Sequence, residues 1–173
     1  MSHHRVAGHR ARLGPFVLAT LITASCVSQR NIFAPMPGAV EVTVPDTSIS
    51  DALDAATLAI TDEGLTVSLV DREHGLVESE YVDITAVRTD IDPAFAGGIE
   101  RNVRFRFRAI PSFGAISVYG EAVYRLGEVE GRANERMVPE EHPARPVLAE
   151  MLESITDRMA QAKAEREPAP PAS

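Results

Sequence analysis

Residues 103–110 read VRFRFRAI, and this stretch leaves the chain little choice of structure. Val103, Phe105 and Phe107 alternate with Arg104, Arg106 and Arg108. A period of two marks a β-strand, because successive side chains leave opposite faces of an extended backbone. Wound into a helix, the same residues would mix cations and apolar groups round one cylinder. The chain must therefore build a sheet with one apolar face to cover and one face carrying arginines. Residues 112–114 form a turn, and residues 115–126 (AISVYGEAVYRL) return beside the first strand. Ile116, Val118, Ala122, Tyr124 and Leu126 share one face; Tyr119, Glu121, Val123 and Arg125 share the other. Gly120 is expected to mark a bulge or bend between them.

Three more stretches read as strands. Residues 39–44 (AVEVTV) set Val40, Val42 and Val44 against Glu41 and Thr43, and Pro45 ends the run. Residues 65–70 (LTVSLV) and 76–84 (LVESEYVDI) flank the polar turn DREHG, with Val67, Leu69, Leu76, Val82 and Ile84 as inward candidates. A further short strand is expected near residues 135–138. Two helices complete the set. Ser48, with Asp51 three residues on, forms a capping-box start. Ile49, Ala52, Leu53, Ala56, Ala59 and Ile60 then recur at helical spacing as far as Gly64. Pro146 suits the first turn of the second helix. Val147, Leu148, Met151, Leu152, Ile155 and Met159 form its apolar stripe.

These stripes are satisfied together by an α+β fold, in the order β-α-β-β-β-β-α. It is an antiparallel sheet of about five strands with both amphipathic helices packed on one face. That arrangement leaves the arginine face to solvent. Arg104, Arg106 and Arg108 are then a candidate anion or partner surface, or they pair across strands with Glu121, Glu78 and Glu80.

The opposite end of the chain carries an address. Residues 1–12 hold Arg5, Arg10 and Arg12 and no acid; residues 13–23 are apolar but too short to span a bilayer, which takes about 20 residues. Small Ala24 and Ser25 precede Cys26, the single cysteine of the chain. Thr23-Ala24-Ser25-Cys26 resembles the bacterial lipobox, with Thr23 where a branched aliphatic residue is commoner. The resemblance implies a signal peptide over residues 1–25 and lipidation at Cys26. It also implies a membrane anchor, since several acyl chains hold firmly where one holds marginally. Val27 follows rather than Asp, which in lipoproteins of two-membrane bacteria goes with delivery to the outer membrane. Residues 26–38 then read as a tether, residues 39–163 as one domain, and the Pro- and Ala-rich residues 164–173 as a disordered tail.

Removal of residues 1–25 leaves 148 residues at a net charge of −11, enough for one domain with its own core. So acidic a domain does not suggest nucleic acid as a partner. His74 and His142 are its two histidines, and neither stands in the spacing of a catalytic triad or metal site. The turn at Asp71, Glu73 and His74 reads as a polar hairpin loop, and Asp90 and Asp92 as a solvated loop. The expectation is a non-enzymatic protein without metal or cofactor.

Residues 52–81, which include EGLTVSLVDREHGLVESEY, run helix, glycine, aliphatic strand, acidic turn, strand. The run resembles the domains of the C lipoprotein of the outer-membrane β-barrel assembly machinery, which have a helix-grip arrangement. The resemblance implies an accessory or scaffolding role with an envelope protein as partner, and it carries over no functional residue. The competing expectation is an apolar ligand held between helices and sheet, in a cavity lined by Phe105, Phe107, Tyr124 and Met151.

Overall fold

The structure is a computed structural model and describes residues 34–88, 101–127, 129 and 131–166. The fold is α+β: an open antiparallel sheet of seven strands, with helices packed on one face. In chain order the elements are β1 (Val40–Pro45), α1 (Ile49–Asp62), β2 (Val67–Asp71), β3 (Leu76–Ser79), β4 (Val82–Asp83), α2 (Ile84–Val87), β5 (Asn102–Ser112), β6 (Ala115–Arg125), β7 (Glu135–Met137) and α3 (Ala144–Arg166). The main path across the sheet is β1-β6-β5-β3-β2, with β4 added to β5 and β7 to β6. The five long strands match the expected number. The other two are short: β7 is the strand expected near residue 135, and β4 is new.

The strand β4 exists because residues 76–84 do not run as one strand. Ser79 is buried, and its hydroxyl accepts the backbone N–H of Phe105 at 3.0 Å, taking the place of a ladder carbonyl. The chain leaves the sheet for Glu80 and Tyr81 and rejoins it at Val82, opposite Val103. Asp83 then caps the one-turn α2, accepting from Thr85 N at 3.0 Å, and Ile84 enters the core.

One face of the sheet is covered. Helix α1 opens on the expected capping box, Ser48 with Asp51. It packs through Ala52, Leu53, Ala55, Ala56, Ala59 and Ile60; α3 packs through Val147, Leu148, Met151, Leu152, Ile155 and Met159. Both stripes join Val44, Val77, Val103, Phe105, Phe107, Ile116, Val118 and Ala122 in one hydrophobic cluster. Each large side chain so buried contributes about 1.5–3 kcal/mol before entropy is deducted. Helix α3 runs through Arg166, three residues beyond the domain boundary read from sequence.

Gly120 has a different role from the one expected. The β5–β6 register runs without a break, pairing Gly120 with Phe107, so there is no bulge. A Cβ at Gly120 would lie 2.9 Å from Leu152 Cδ1 and 3.0 Å from Leu148 Cδ1. The glycine is where α3 comes down onto the sheet. The bulge lies instead in β2, between Val67 and Leu69, where the Ser68 hydroxyl donates to the carbonyl of Ser79 at 2.8 Å. Because of that slip Leu69 turns away from the core and is 42% exposed. Leu76 is buried, but opposite Arg108 on the outer face and outside the helix-side cluster. Leu69 and Leu76 are therefore corrections to the inward set, whereas Val67, Val82 and Ile84 do pack on the core.

Candidate functional site

The face turned away from the helices carries Arg104, Arg106 and Arg108 of β5, as the alternation requires. It is not left to solvent. Arg106 is 3% exposed and Arg108 2%. The register places Glu121 of β6 and Glu78 of β3 on either side of Arg106. Glu135 reaches it from β7, which pairs Glu135 with Arg125.

Arg106 divides its guanidinium among all three acids. Nε donates to Glu78 Oε1, Nη1 to Glu121 Oε2 at 3.1 Å, and Nη2 to Glu135 Oε2 at 2.8 Å. Burial disfavours the cation, but the charges of Glu78 and Glu135 outweigh it and hold Arg106 above the usual arginine range. Glu135 mirrors this: burial pushes its carboxyl up, and the charge of Arg106 pulls it below the ordinary value. Glu121 is fully buried and also accepts the backbone N–H of Met36 at 2.6 Å and Arg132 Nη2 at 3.3 Å. The expected pairing thus holds for Glu121 and Glu78. Glu80 is exposed and lies off the strand; Glu135 takes the third place.

Around this core sits a second layer. Arg104 donates through Nη1 to Glu78 Oε2 at 3.1 Å, and its guanidinium lies 4.3 Å from the centroid of the Tyr81 ring. Arg125 approaches the same ring at 5.1 Å. The Tyr81 hydroxyl donates to Glu135 Oε1 at 2.8 Å. Burial, then the bond and charge of Glu135, push the Tyr81 phenol up to about 12. Arg108 is pressed down to about 10 by burial and by the charge of Arg132, and so stays cationic at neutral pH.

These side chains border an open pocket of about 410 Å³, lined by Leu76, Gly131 and the charged groups around Tyr81. The lining arginines are Arg104, Arg106, Arg108, Arg125 and Arg132; the lining acids are Glu78 and Glu135. Guanidinium forks, one phenol and two carboxylates can hold and orient a charged group.

The last residues of the expected tether are bound to the domain. Beyond the Met36 contact, Arg132 donates to the carbonyl of Ala34, and Arg145 to that of Gly38 at 3.4 Å. Cys26, Asp90 and Asp92 lie outside the described residues. His74 faces Asp71 across 2.8 Å in the exposed β2–β3 turn, and His142 is buried, its Nδ1 accepting from Ala144 N at 3.1 Å. Neither is among the described residues that line the pocket.

Sequence reasoning placed Arg125 on the correct face but missed Tyr81, Arg132 and Glu135 as members of the site. Tyr81 was hidden by reading residues 76–84 as one strand. Glu135 lies 29 residues from Arg106 in the chain, on a three-residue strand. A comparison with family models and with curated proteins finds no match for the chain.

Proposed function

We propose that this chain is a lipoprotein of the cell envelope, anchored through a lipidated Cys26, whose domain is a non-enzymatic binding or scaffold module. Its recognition surface is the outer face of the sheet. The observation that carries this reading is the charged pocket beside Tyr81, a cluster of arginines in a chain of net charge −8. A surface of that kind recognises a charged partner through its guanidinium and carboxylate groups. We place the protein at the outer membrane facing the periplasm, which is what Val27 after the lipobox-like sequence implies.

The competing reading, an apolar ligand between helices and sheet, meets an obstacle. Phe105, Phe107 and Met151 are all buried in one cluster, and Tyr124 packs against it. The interior that would hold such a ligand is filled by side chains.

The test is a crosslinking capture from native membranes with wild type, Cys26→Ser and Arg104→Glu. Wild type should be membrane-bound and capture specific envelope proteins. Cys26→Ser should be soluble and capture none, and Arg104→Glu should be membrane-bound but capture less. Equal solubility of wild type and Cys26→Ser would end the lipoprotein reading. Undiminished capture by Arg104→Glu would remove the sheet face from the function.

A further inference from the structure

We propose that Glu121 and Arg132 form a binding site for the backbone of an extended peptide segment, and that residues 34–38 are a detachable strap holding that site closed. The inference rests on the reading of the outer sheet face as the recognition surface, and it names the kind of segment that face takes.

The contacts form a closed ring. Met36 N–H donates to Glu121 Oε1 at 2.6 Å, and Arg132 Nη2 donates to the same oxygen at 3.3 Å. Arg132 Nη2 also donates to the carbonyl of Ala34. One carboxylate thus takes an N–H, and one guanidinium takes a carbonyl two residues away in the chain. A neighbouring strand does the same in a sheet, where partners exchange N–H and C=O groups. Here two side chains stand in for that strand, so what they read is main chain. The occupant is preshaped by its sequence. Ala34 and Met36 each precede a proline, which keeps both out of the helical region and in extended backbone. Pro35 and Pro37 have no N–H, so Met36 carries the one donor of residues 35–37.

The strap is held by polar contacts and not by the core. Ala34, Pro37 and Gly38 are exposed. Among the described residues, none from 34 to 39 belongs to the hydrophobic cluster or to the apolar side chains packed against it. The strap turns into β1 at Gly38, where φ is +88°, and Ala39 N–H closes that turn on the Met36 carbonyl at 3.0 Å. Segments with few buried apolar contacts open locally, ahead of the domain that carries them. A backbone already confined by proline also loses little entropy on docking, so the strap can close again readily.

Lifting the strap changes two groups. Glu121, which has no exposed surface in the closed form, loses its Met36 donor. Arg132, which also lines the pocket beside Tyr81, loses the Ala34 carbonyl. A buried carboxylate deprived of a donor is unfavourable, so the open form favours any segment that restores both bonds. The strap is therefore an autoinhibitory contact. A partner segment displaces it by offering a carbonyl and an N–H at the same spacing.

The experiment uses the full chain as Cys26→Ser, so that opening is read apart from any anchor. Amide exchange is followed by NMR in low concentrations of urea. The Met36 amide should be protected, yet exchange through an opening that urea does not change, while the β5 and β6 amides exchange through a urea-dependent one. Arg132→Gln should speed Met36 exchange by about tenfold or more. Arg72→Gln makes the same charge change in the β2–β3 turn, where Arg72 pairs with Asp54 of α1, and should leave the Met36 rate unaltered. Met36→Pro removes the donor and keeps the backbone extended. A peptide with the sequence of residues 31–38, at millimolar concentration, should saturably shift the Glu121 and Arg132 resonances of folded Met36→Pro but not those of the parent chain. The same peptide N-methylated at its methionine should not shift them. A Met36 amide that exchanges as in an unstructured peptide, or only together with the β5 and β6 amides, overturns the strap, as does equal acceleration by Arg72→Gln. Absence of peptide binding, or equal binding of the N-methylated peptide, overturns the site. Local opening and peptide binding in a chain that captures no envelope protein would uphold this inference and count against the binding-module reading.

Discussion

Arg106→Met asks whether one guanidinium holds the outer face of the sheet together. Methionine keeps much of the apolar stem, so the loss is mainly electrostatic. The variant leaves Glu78, Glu121 and Glu135 buried; among the described residues Arg104 and Arg132 still pair with them, and Tyr81 and the Met36 N–H still donate to Glu135 and Glu121. Removing one partner of a buried ion pair costs about 3–5 kcal/mol, since the other charge stays buried and uncompensated. Here one side chain serves three acids, so the upper half of that range is expected. Against a domain stability of order 5–15 kcal/mol, a loss of about 4 kcal/mol is a large fraction. At this chain length it should lower Tm by about 10–15 °C.

The pH dependence makes the prediction sharper. In wild type the carboxyl of Glu135 is held below its ordinary value of 4.5. A depressed folded-state pKa contributes stability that is full above about 4.5 and is lost as pH falls through the folded value. In the variant the pull of Arg106 is gone while burial remains, opposed by the Tyr81 bond and the Arg104 charge, so the Glu135 carboxyl should be depressed less than in wild type. Its contribution then shrinks, and the variant should lose less stability than wild type on acidification. Urea unfolding followed by circular dichroism, at neutral pH and below pH 4.5, should show the gap narrowing. A loss under about 1 kcal/mol, the value of an exposed pair, would refute the reasoning. So would a gap that does not change with pH.

Three other outcomes are expected. Gly75→Ala should destabilise more than Gly120→Ala in thermal melts. At Gly75, φ is +66° and a Cβ would sit 2.5 Å from the backbone carbonyl oxygen of Ala109, whereas at Gly120 it meets leucine side-chain ends that can yield, at about 1–3 kcal/mol. Alkaline difference titration of wild type against Tyr81→Phe should reveal a phenol titrating near 12, and a midpoint near the ordinary 10 would contradict the buried bond to Glu135. Since that pKa is raised on folding, its stabilisation is full below about 10 and is lost as pH rises through about 12. Leu53→Asp and Leu152→Asp each bury an unpaired carboxyl in the helix–sheet core and should unfold the domain; a melt within a few degrees of wild type would undo the two-helix packing.

Much of the fold is legible in local pattern. The Ser48 cap, the stripes of α1 and α3, and the alternation in β1, β5 and β6 each reflect interactions within a few residues or a strict period. Where the reading failed, a contact between distant elements had taken over. Ser68 and Ser79 look like ordinary strand residues, yet their hydroxyls replace ladder partners and shift register, turning Leu69 outward and releasing Tyr81 from the sheet. Gly120 looks like a bulge until Leu148 and Leu152 of α3 are brought above it.

The arginine stripe shows the same division most clearly. Alternation along residues 103–108 is enough to place the phenylalanines on one face and the arginines on the other, because the pleat permits nothing else. Sequence by itself also determined that the apolar face must be covered and that α1 and α3 could cover it. Whether the arginines would meet water or carboxylates depended on which strands became their neighbours. Only tertiary structure set Glu78, Glu121 and Glu135 round Arg106, since pairing partners are chosen by the packing of the whole sheet and not by any local period.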